Sequence, residues 1–305
     1  MRKRRKNLKL LLFYVVILVA IICTRFFLIG IYYIPSPSME PTLIPGDYIL
    51  VSKLAYGPRV VRVRKLLLEK RLEYRWHRGL GRVKKGDVMV FNAPKYNTLY
   101  QEYPNVYGAP FVKRCQGVLG DTIIIKPSPS DAKTPQSEKK QRASKGWTQS
   151  REAGGNAIKT DGVGYFLDKI EDKPWKPNLF PYDSTLGWTL DSYGPLFVPG
   201  KGITIQLTAK NASHYKDILM YEGSKSETRS DSVFLNGIYT TSYTFKENYY
   251  FVLGDSFYNS RDSRYWGLVP QKNIIGKAVI VLLSLDPDEP WYRKFRWKRF
   301  LKRVR

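Results

Sequence analysis

Residues 34–43 have the sequence IPSPSMEPTL, in which two serines, Ser36 and Ser38, stand among three prolines. Proline fixes the backbone φ angle, so this segment is expected to be stiff. A stiff turn suits a nucleophilic serine, because little further ordering is needed to reach the geometry of attack. An ordinary linker rich in proline and serine has the same composition, and composition alone favours that simpler interpretation.

A second segment, residues 111–118, has the sequence FVKRCQGV and is predicted to be a strand. Alternate side chains of a strand share a face, which places Lys113 with Phe111 and Cys115 and places Arg114 opposite them. Burial on such a face lowers a lysine pKa, and a neutral amine can accept a proton from serine, whereas a guanidinium cannot. A lysine that reaches solvent from a half-buried sheet is the alternative for this pattern by itself.

A third segment, residues 253–267, has the sequence LGDSFYNSRDSRYWG and follows a predicted core strand. Its polar side chains can orient catalytic groups through hydrogen bonds and ion pairs. A structural loop that satisfies its own backbone is the alternative.

Other kinds of active site are poorly supported by the composition. The chain has two histidines, His77 and His214, and two cysteines, Cys23 and Cys115. Neither histidine is near a serine motif, which argues against a Ser-His-Asp triad and a histidine-rich metal site. Two cysteines so placed do not indicate a disulfide framework. We therefore predict no metal and no cofactor.

Together and in this order, the segments resemble the conserved motifs of bacterial type I signal peptidases. Residues 35–43 resemble the nucleophile motif, 46–57 the motif that follows it, 112–121 the lysine motif and 254–270 the last motif. The resemblance implies a serine endopeptidase that removes N-terminal signal peptides from exported preproteins. Its partners would be secretory preproteins with small residues before the cleavage site.

The resemblance also implies roles for individual residues. Ser38 would be the nucleophile and Lys113 the general base. The Ser36 hydroxyl and the Ser38 backbone N–H would form the oxyanion hole, and Ser260 would orient the lysine. The remaining roles are a structural pair, Asp262 and Arg264, and the walls of shallow apolar substrate pockets, Ile34, Pro35, Met39, Leu43, Phe111 and Val112.

The chain departs from the family pattern in two supporting loops. Ser256 and Phe257 stand where the family usually has Asn and Arg, and Val118 and Leu119 where it usually has Leu and Pro. These departures leave open an alternative function, a catalytically impaired, membrane-anchored relative that binds exported chains.

Charge and hydropathy suggest a membrane protein. The net charge is +25, with six basic residues in the first nine and eight in the last fifteen. The run from Leu8 to Thr24 is almost entirely apolar and predicts one transmembrane helix. The preceding basic cluster predicts a cytoplasmic N-terminus and a body on the far side of the membrane. The resemblance implies that this body is a periplasmic catalytic domain on the inner membrane. A cleaved secretory signal is the alternative, although no small-x-small cleavage site follows the run.

The basic tail can also be read in more than one way. Its aromatic residues alternate with cations, which favours contact with anionic lipid. A disordered, solvated end is the alternative for the tail. The charge of the whole chain also leaves a membrane-tethered nucleic-acid-binding protein as an alternative function. Because no nucleic-acid motif is present, membrane lipid is the predicted partner and nucleic acid is not.

The predicted fold is mostly β, with a signal-peptidase-like β-sheet catalytic core, a β insertion domain and the N-terminal transmembrane helix. The predicted strands are Phe26–Ile34, Tyr48–Val51, Asp87–Asn92, Gly108–Gln116, Thr122–Lys126, Tyr249–Leu253 and Asn273–Leu285. The predicted divisions are 1–25 for the basic end and helix, 26–126 and 246–290 for the core, 127–245 for the inserted domain with a mobile loop at 127–162, and 291–305 for the basic amphipathic tail.

Overall fold

The computed structural model describes residues 2–57, 59–61, 74–92, 94, 110–126 and 179–305. The mobile loop predicted at 127–162 lies outside these residues, and so does the start of the inserted domain up to residue 178.

Most of the regular secondary structure in the described residues is β, and its largest element is an eight-stranded antiparallel sheet. Its strands are β1 (Ile29–Tyr33), β2 (Asp47–Ser52), β5 (Val88–Asn92), β6 (Pro110–Gly117), β14 (Tyr249–Leu253), β15 (Val269–Pro270), β16 (Ile274–Ser284) and β17 (Lys302–Arg303). Seven of them follow the order β1-β2-β16-β5-β6-β14-β15, and β17 pairs with β16.

The described residues also form four smaller sheets. Two antiparallel pairs are β3 (Arg59–Val61) with β4 (Tyr74–Trp76) and β7 (Thr122–Ile125) with β8 (Tyr193–Phe197). The others are β9 (Thr204–Gln206) with β13 (Ser242–Thr244), and the sheet of β10 (Ser226–Arg229), β11 (Ser232–Leu235) and β12 (Ile238–Tyr239).

Three α-helices are described: α1 (Arg2–Cys23), α2 (Ala209–Tyr221) and α3 (Ser263–Trp266). A π-helical turn, Thr24–Leu28, extends α1, and short 3-10 turns lie at Pro37–Met39, Ser184–Leu186, Gln271–Asn273 and Trp297–Arg299. Within the described residues, no helix combines the length and the apolar character needed to cross a membrane.

The main sheet is buried on both faces at its centre. In β5, Val88 and Val90 pack into one apolar cluster, and Met89 and Phe91 pack into another on the opposite face. A strand buried on both faces consists of a continuous apolar run, as this one does. The first cluster lies beneath the serine segment, so the core directly supports the predicted nucleophile.

The prediction of a mostly β fold is confirmed, and the strand Tyr249–Leu253 has the bounds that were predicted. The strand predicted at Phe26–Ile34 is wrong in its first half. Residues 24–28 continue the helical path of α1, and pairing with β2 begins only at Ile29.

The predicted β insertion domain, residues 127–245, is not wholly β in its described part, because that part contains α2. A capping box at Thr208 and Asn211 begins this helix. Its buried side chains recur at helical spacing, which the many aromatic and turn residues nearby had obscured; they are Ala212, Tyr215, Ile218 and Leu219.

Candidate active site

Ser38 lies in a short, supported loop between β1 and β2, which we call the nucleophile loop (residues 34–47). The loop is closed at its base, where Ile34 N donates to Asp47 O at 2.8 Å and Gly46 N donates to Ile34 O at 2.9 Å. Ser38 itself is in the 3-10 turn Pro37–Met39, and proline at the first position of a helix presets the turn. The 3-10 turn and the two hydrogen bonds at the base of the loop therefore agree with the stiffness predicted from the prolines.

Lys113 on β6 reaches Ser38 from 75 positions away in the sequence. Its Nζ lies 2.5 Å from Ser38 Oγ and donates to it. The lysine is only 4% exposed, whereas its neighbour Arg114 is partly exposed. The structure therefore brings together the two residues predicted as nucleophile and base, and it buries the base as the strand pattern predicted.

Burial lowers the pKa of Lys113 from 10.5 to about 8. The Asp262 carboxylate opposes this shift and the Arg264 guanidinium reinforces it. At pH 7 a lysine with this pKa has about 300 times more neutral amine than one with the ordinary pKa. The site can therefore provide a lone pair that accepts the serine proton.

Ser36 is the second serine of the loop and lies beside the first. The hydroxyl oxygens of Ser36 and Ser38 are 3.3 Å apart, within hydrogen-bond distance. The carbonyl of Ser38 accepts a hydrogen bond from Ser256 N at 3.2 Å, which connects the nucleophile loop to the loop after β14.

Gly254 allows these two loops to approach closely. A Cβ at Gly254 would lie 2.1 Å from Ser260 Oγ and 2.5 Å from Ser38 O, so only glycine fits. Ser260 is 5% exposed, and its hydroxyl has no hydrogen-bond partner among the described residues. The structure places Ser260 close to the nucleophile segment without a hydrogen bond to Lys113, and its orienting role stays a prediction.

Asp262 and Arg264 form a fully buried ion pair below the site. Arg264 Nε and Nη2 each donate to the carboxylate at 2.8 Å, and Asp262 also accepts from Gly254 N at 3.1 Å. The Phe257 carbonyl accepts from Arg264 Nη2 at 2.5 Å, and the Phe257 ring lies 4.1 Å from the guanidinium carbon. Phe257, one of the departures from the family pattern, thus helps to enclose the buried arginine.

A second ion pair lies next to the base and was missed in the sequence. Arg114 Nε and Nη2 donate to Asp255 at 2.7 and 2.6 Å, and Nη2 also donates to Thr42 Oγ1 at 3.0 Å. The pairing follows from strand register, because Leu253 lies opposite Arg114 and Asp255 follows two residues later. This ion pair can be inferred only once the pairing of β14 with β6 is known.

The six predicted pocket residues fall into two groups. Pro35, Phe111 and Val112 are partly exposed and available for contact. Ile34, Met39 and Leu43 are at most 3% exposed and belong to the core cluster behind the loop. The substrate contact assigned to all six stays a prediction. Only the first three are exposed enough to contact a substrate directly.

Comparison with known proteins identifies relatives. The family model described as signal peptidase, peptidase S26, matches residues 7–153 and 195–283. Signal peptidase I of Haemophilus influenzae is 26% identical over 95% of this chain and 73% of its own length. The enzyme of that name from Buchnera aphidicola of Schizaphis graminum is 28% identical over 90% and 75%, and that from Aquifex aeolicus 27% identical over 90% and 85%.

Proposed function

The chain belongs to the signal peptidase family, peptidase S26, and from this membership we propose that Ser38 and Lys113 perform its chemistry. As a member of this family, it is a serine peptidase that removes signal peptides from preproteins. The observation that supports the assignment of the two residues is the 2.5 Å contact between the buried Lys113 amine and Ser38 Oγ. The catalytically impaired alternative is not favoured, since the loop departures that suggested it leave Ser38 and Lys113 in contact.

In the proposed first step, the neutral Lys113 amine accepts the Ser38 hydroxyl proton while Ser38 Oγ attacks the scissile carbonyl carbon. The carbonyl oxygen becomes an oxyanion, which the Ser36 hydroxyl and the Ser38 N–H stabilise as donors. The peptide C–N bond then breaks, and the Lys113 ammonium returns its proton to the leaving amine.

The second step hydrolyses the acyl-enzyme. A water molecule attacks the ester carbon, and the Lys113 amine accepts its proton. The ester bond breaks, Ser38 Oγ recovers a proton from the lysine, and the signal peptide leaves with a terminal carboxylic acid, which loses its proton to water. A guanidinium cannot perform these transfers, because it stays protonated at any physiological pH.

Substrate selection is proposed to depend on small, apolar subsites. The partly exposed candidates, Pro35, Phe111 and Val112, carry no charge, and the core residues behind them are apolar. A shallow surface of this kind admits Ala, Gly or Ser and excludes bulk and charge. The proposed cleavage sites therefore have small residues at the first and third positions before the bond.

We also propose that α1, although its described side chains fall short of a full membrane span, anchors the protein in the inner membrane with its N-terminus in the cytoplasm. Every side chain from Leu10 to Val19 is apolar or aromatic and 38–64% exposed. Such a continuous apolar surface needs cover by another protein or by lipid. The test is a reporter fused after Arg305. A reporter that works only outside the cytoplasm should be active there, and activity of a reporter that works only in the cytoplasm would contradict this topology.

The proposed lipid contact extends to the C-terminal tail. Trp291, Trp297 and Phe300 are 81%, 72% and 53% exposed, among eight cations in the last fifteen residues. Exposed aromatic rings and cations together suit an anionic lipid surface. A tail peptide should bind anionic vesicles more tightly than neutral ones, and equal binding would contradict the proposal.

The direct test of the enzymatic assignment is cleavage of a model preprotein by the full-length protein in detergent and lipid. Wild type should release the signal peptide, and Ser38→Ala should not. Ser260→Ala, at a buried hydroxyl with an untested role, indicates whether the loop after β14 contributes. Undiminished cleavage by Ser38→Ala would exclude Ser38 as the nucleophile.

A further inference from the structure

The C-terminal tail folds back over the closed end of the nucleophile loop. Arg296 Nη1 donates to Pro45 O at 2.7 Å, and Arg299 Nη2 donates to Thr42 O at 2.9 Å. Arg299 also forms a bidentate pair with Asp47, with Nε to Oδ1 at 2.9 Å and Nη2 to Oδ2 at 2.5 Å. Two tail arginines thus contact the loop at three positions.

These contacts are buried and charge-assisted. The Asp47 side chain is fully buried, and that of Arg299 is 13% exposed. Asp47 also accepts from Ile44 N at 3.0 Å, so the same carboxylate joins the tail to the interior of the loop. Bidentate arginine–carboxylate pairs define orientation as well as adding energy. The tail therefore restrains the direction of the loop rather than merely covering it.

Thr42 is hydrogen-bonded both to the tail and to β6. Its carbonyl accepts from Arg299 of the tail, and its hydroxyl accepts from Arg114, which directly follows Lys113 on β6. Between Thr42 and Ser38 the chain is tightly turned, because Leu43 N donates to Met39 O at 2.9 Å. A displacement of Thr42 is thus transmitted to Ser38, while Arg114 ties Thr42 to the strand of the base.

We propose that Arg299 is a positioning residue, which holds Thr42 and thereby keeps Ser38 Oγ aligned with the Lys113 amine. This inference rests on the proposed role of Ser38 as nucleophile. Misplacement of a reacting atom by about 1 Å can cost about 10²-fold in rate. The tail arginine therefore acts on the rate of the chemical step through the loop, without touching substrate.

The test compares three variants of the full-length protein in preprotein cleavage, well below their melting temperatures. Arg299→Met should lower kcat by about 10²-fold and change KM by less than about twofold. Arg299→Lys should recover part of kcat, because an ammonium can still donate to the Thr42 carbonyl. The double variant Asp47→Asn with Arg299→Met removes both buried charges, so its melting temperature should recover while kcat stays low.

Two control variants separate positioning from stability and from charge. Tyr243→Phe deletes a hydrogen bond to Glu222, 2.8 Å long and outside the nucleophile loop, and should lower the melting temperature without lowering kcat. Lys201→Met removes an exposed cation outside both the nucleophile loop and the tail and should leave both unchanged. Wild-type kcat in the double variant would overturn the proposal, since Arg299 would then be needed only to neutralise Asp47.

The outcomes also distinguish this inference from the proposed mechanism. If Ser38→Ala cleaves in the same assay, the assignment of the nucleophile fails whatever the Arg299 variants do. If Ser38→Ala is inactive and Arg299→Met has wild-type kcat, the mechanism stands and only the positioning role is rejected.

Discussion

Replacing Lys113 by Met should stabilise the protein at neutral pH while abolishing catalysis. The lysine is almost fully buried, and its burial lowers the pKa of the amine to about 8. A group with a depressed basic pKa is held less favourably as a cation in the folded state than in the unfolded state. Methionine has a similar length and carries no charge, so it should fill the same space without this cost.

The size of the effect follows from the two pKa values. The difference between 10.5 in the unfolded chain and about 8 in the folded protein corresponds to about 3.4 kcal/mol, at 1.36 kcal/mol per pH unit. The hydrogen bond to Ser38 is lost in the variant, which costs about 1 kcal/mol. The net gain in the free energy of unfolding at pH 7 is therefore about 2 kcal/mol.

The two pKa values also determine how the stability difference between the proteins changes with pH. Between about pH 8 and pH 10.5 the unfolded state binds more protons at this position than the folded state, so wild-type stability rises with pH there. The advantage of Lys113→Met should be constant below about pH 8 and disappear as the pH rises through this window. Taking the difference between the two proteins cancels the other titrating groups.

The assay is urea unfolding of both proteins at several pH values from 6.5 to 10.5, in one detergent. Lys298→Met, at an exposed tail position, controls for the loss of one positive charge. A difference in unfolding free energy that does not change with pH, or a variant less stable than wild type at pH 7, would refute the reasoning.

Three further predictions concern the surroundings of the dyad. Ser36→Ala should lower kcat by about 10²–10³-fold with little change in KM, as for the loss of one oxyanion donor, and equal kcat would exclude that role. Arg264→Leu should destabilise the fold by about 3–5 kcal/mol in urea unfolding, because it leaves the buried Asp262 carboxylate unpaired; a change below about 1 kcal/mol would contradict this. Preproteins with Leu or Lys at the first position before the bond should remain uncut in the cleavage assay, and efficient cutting would refute the apolar-pocket proposal.

The sequence indicated the dyad through the order of its motifs, since each segment by itself also fitted a structural interpretation. Proline stiffness marked the segment around Ser38, strand alternation placed Lys113 with Phe111 and Cys115, and the structure buries Lys113. Alternation does not extend into irregular loops, so nothing local indicated that Met39 and Leu43 point into the core. Those two residues act as supports below the loop, and the sequence pattern alone could not separate supports from pocket walls.

The supporting ion pairs could not be predicted, since they depend on how distant strands pair. Arg299 and Asp47 are 252 positions apart and meet only because β17 pairs with β16, which itself pairs with β2. The tail was predicted to be an amphipathic segment with a disordered end as the alternative. Its described residues are instead folded onto the sheet through β17, and two of its arginines, Arg296 and Arg299, form ion pairs within the protein.

The central claim is that Lys113 in its neutral form is the base for Ser38, and one measurement tests it most directly. The pH dependence of kcat/KM for preprotein cleavage should be determined for wild type, Lys113→Arg and Lys113→His. The account predicts a wild-type rate that rises through an apparent pKa of about 8, no cleavage by Lys113→Arg, and at most a trace by Lys113→His. Cleavage by Lys113→Arg at near wild-type rate would show that the residue is only a structural cation, and the mechanism would be wrong.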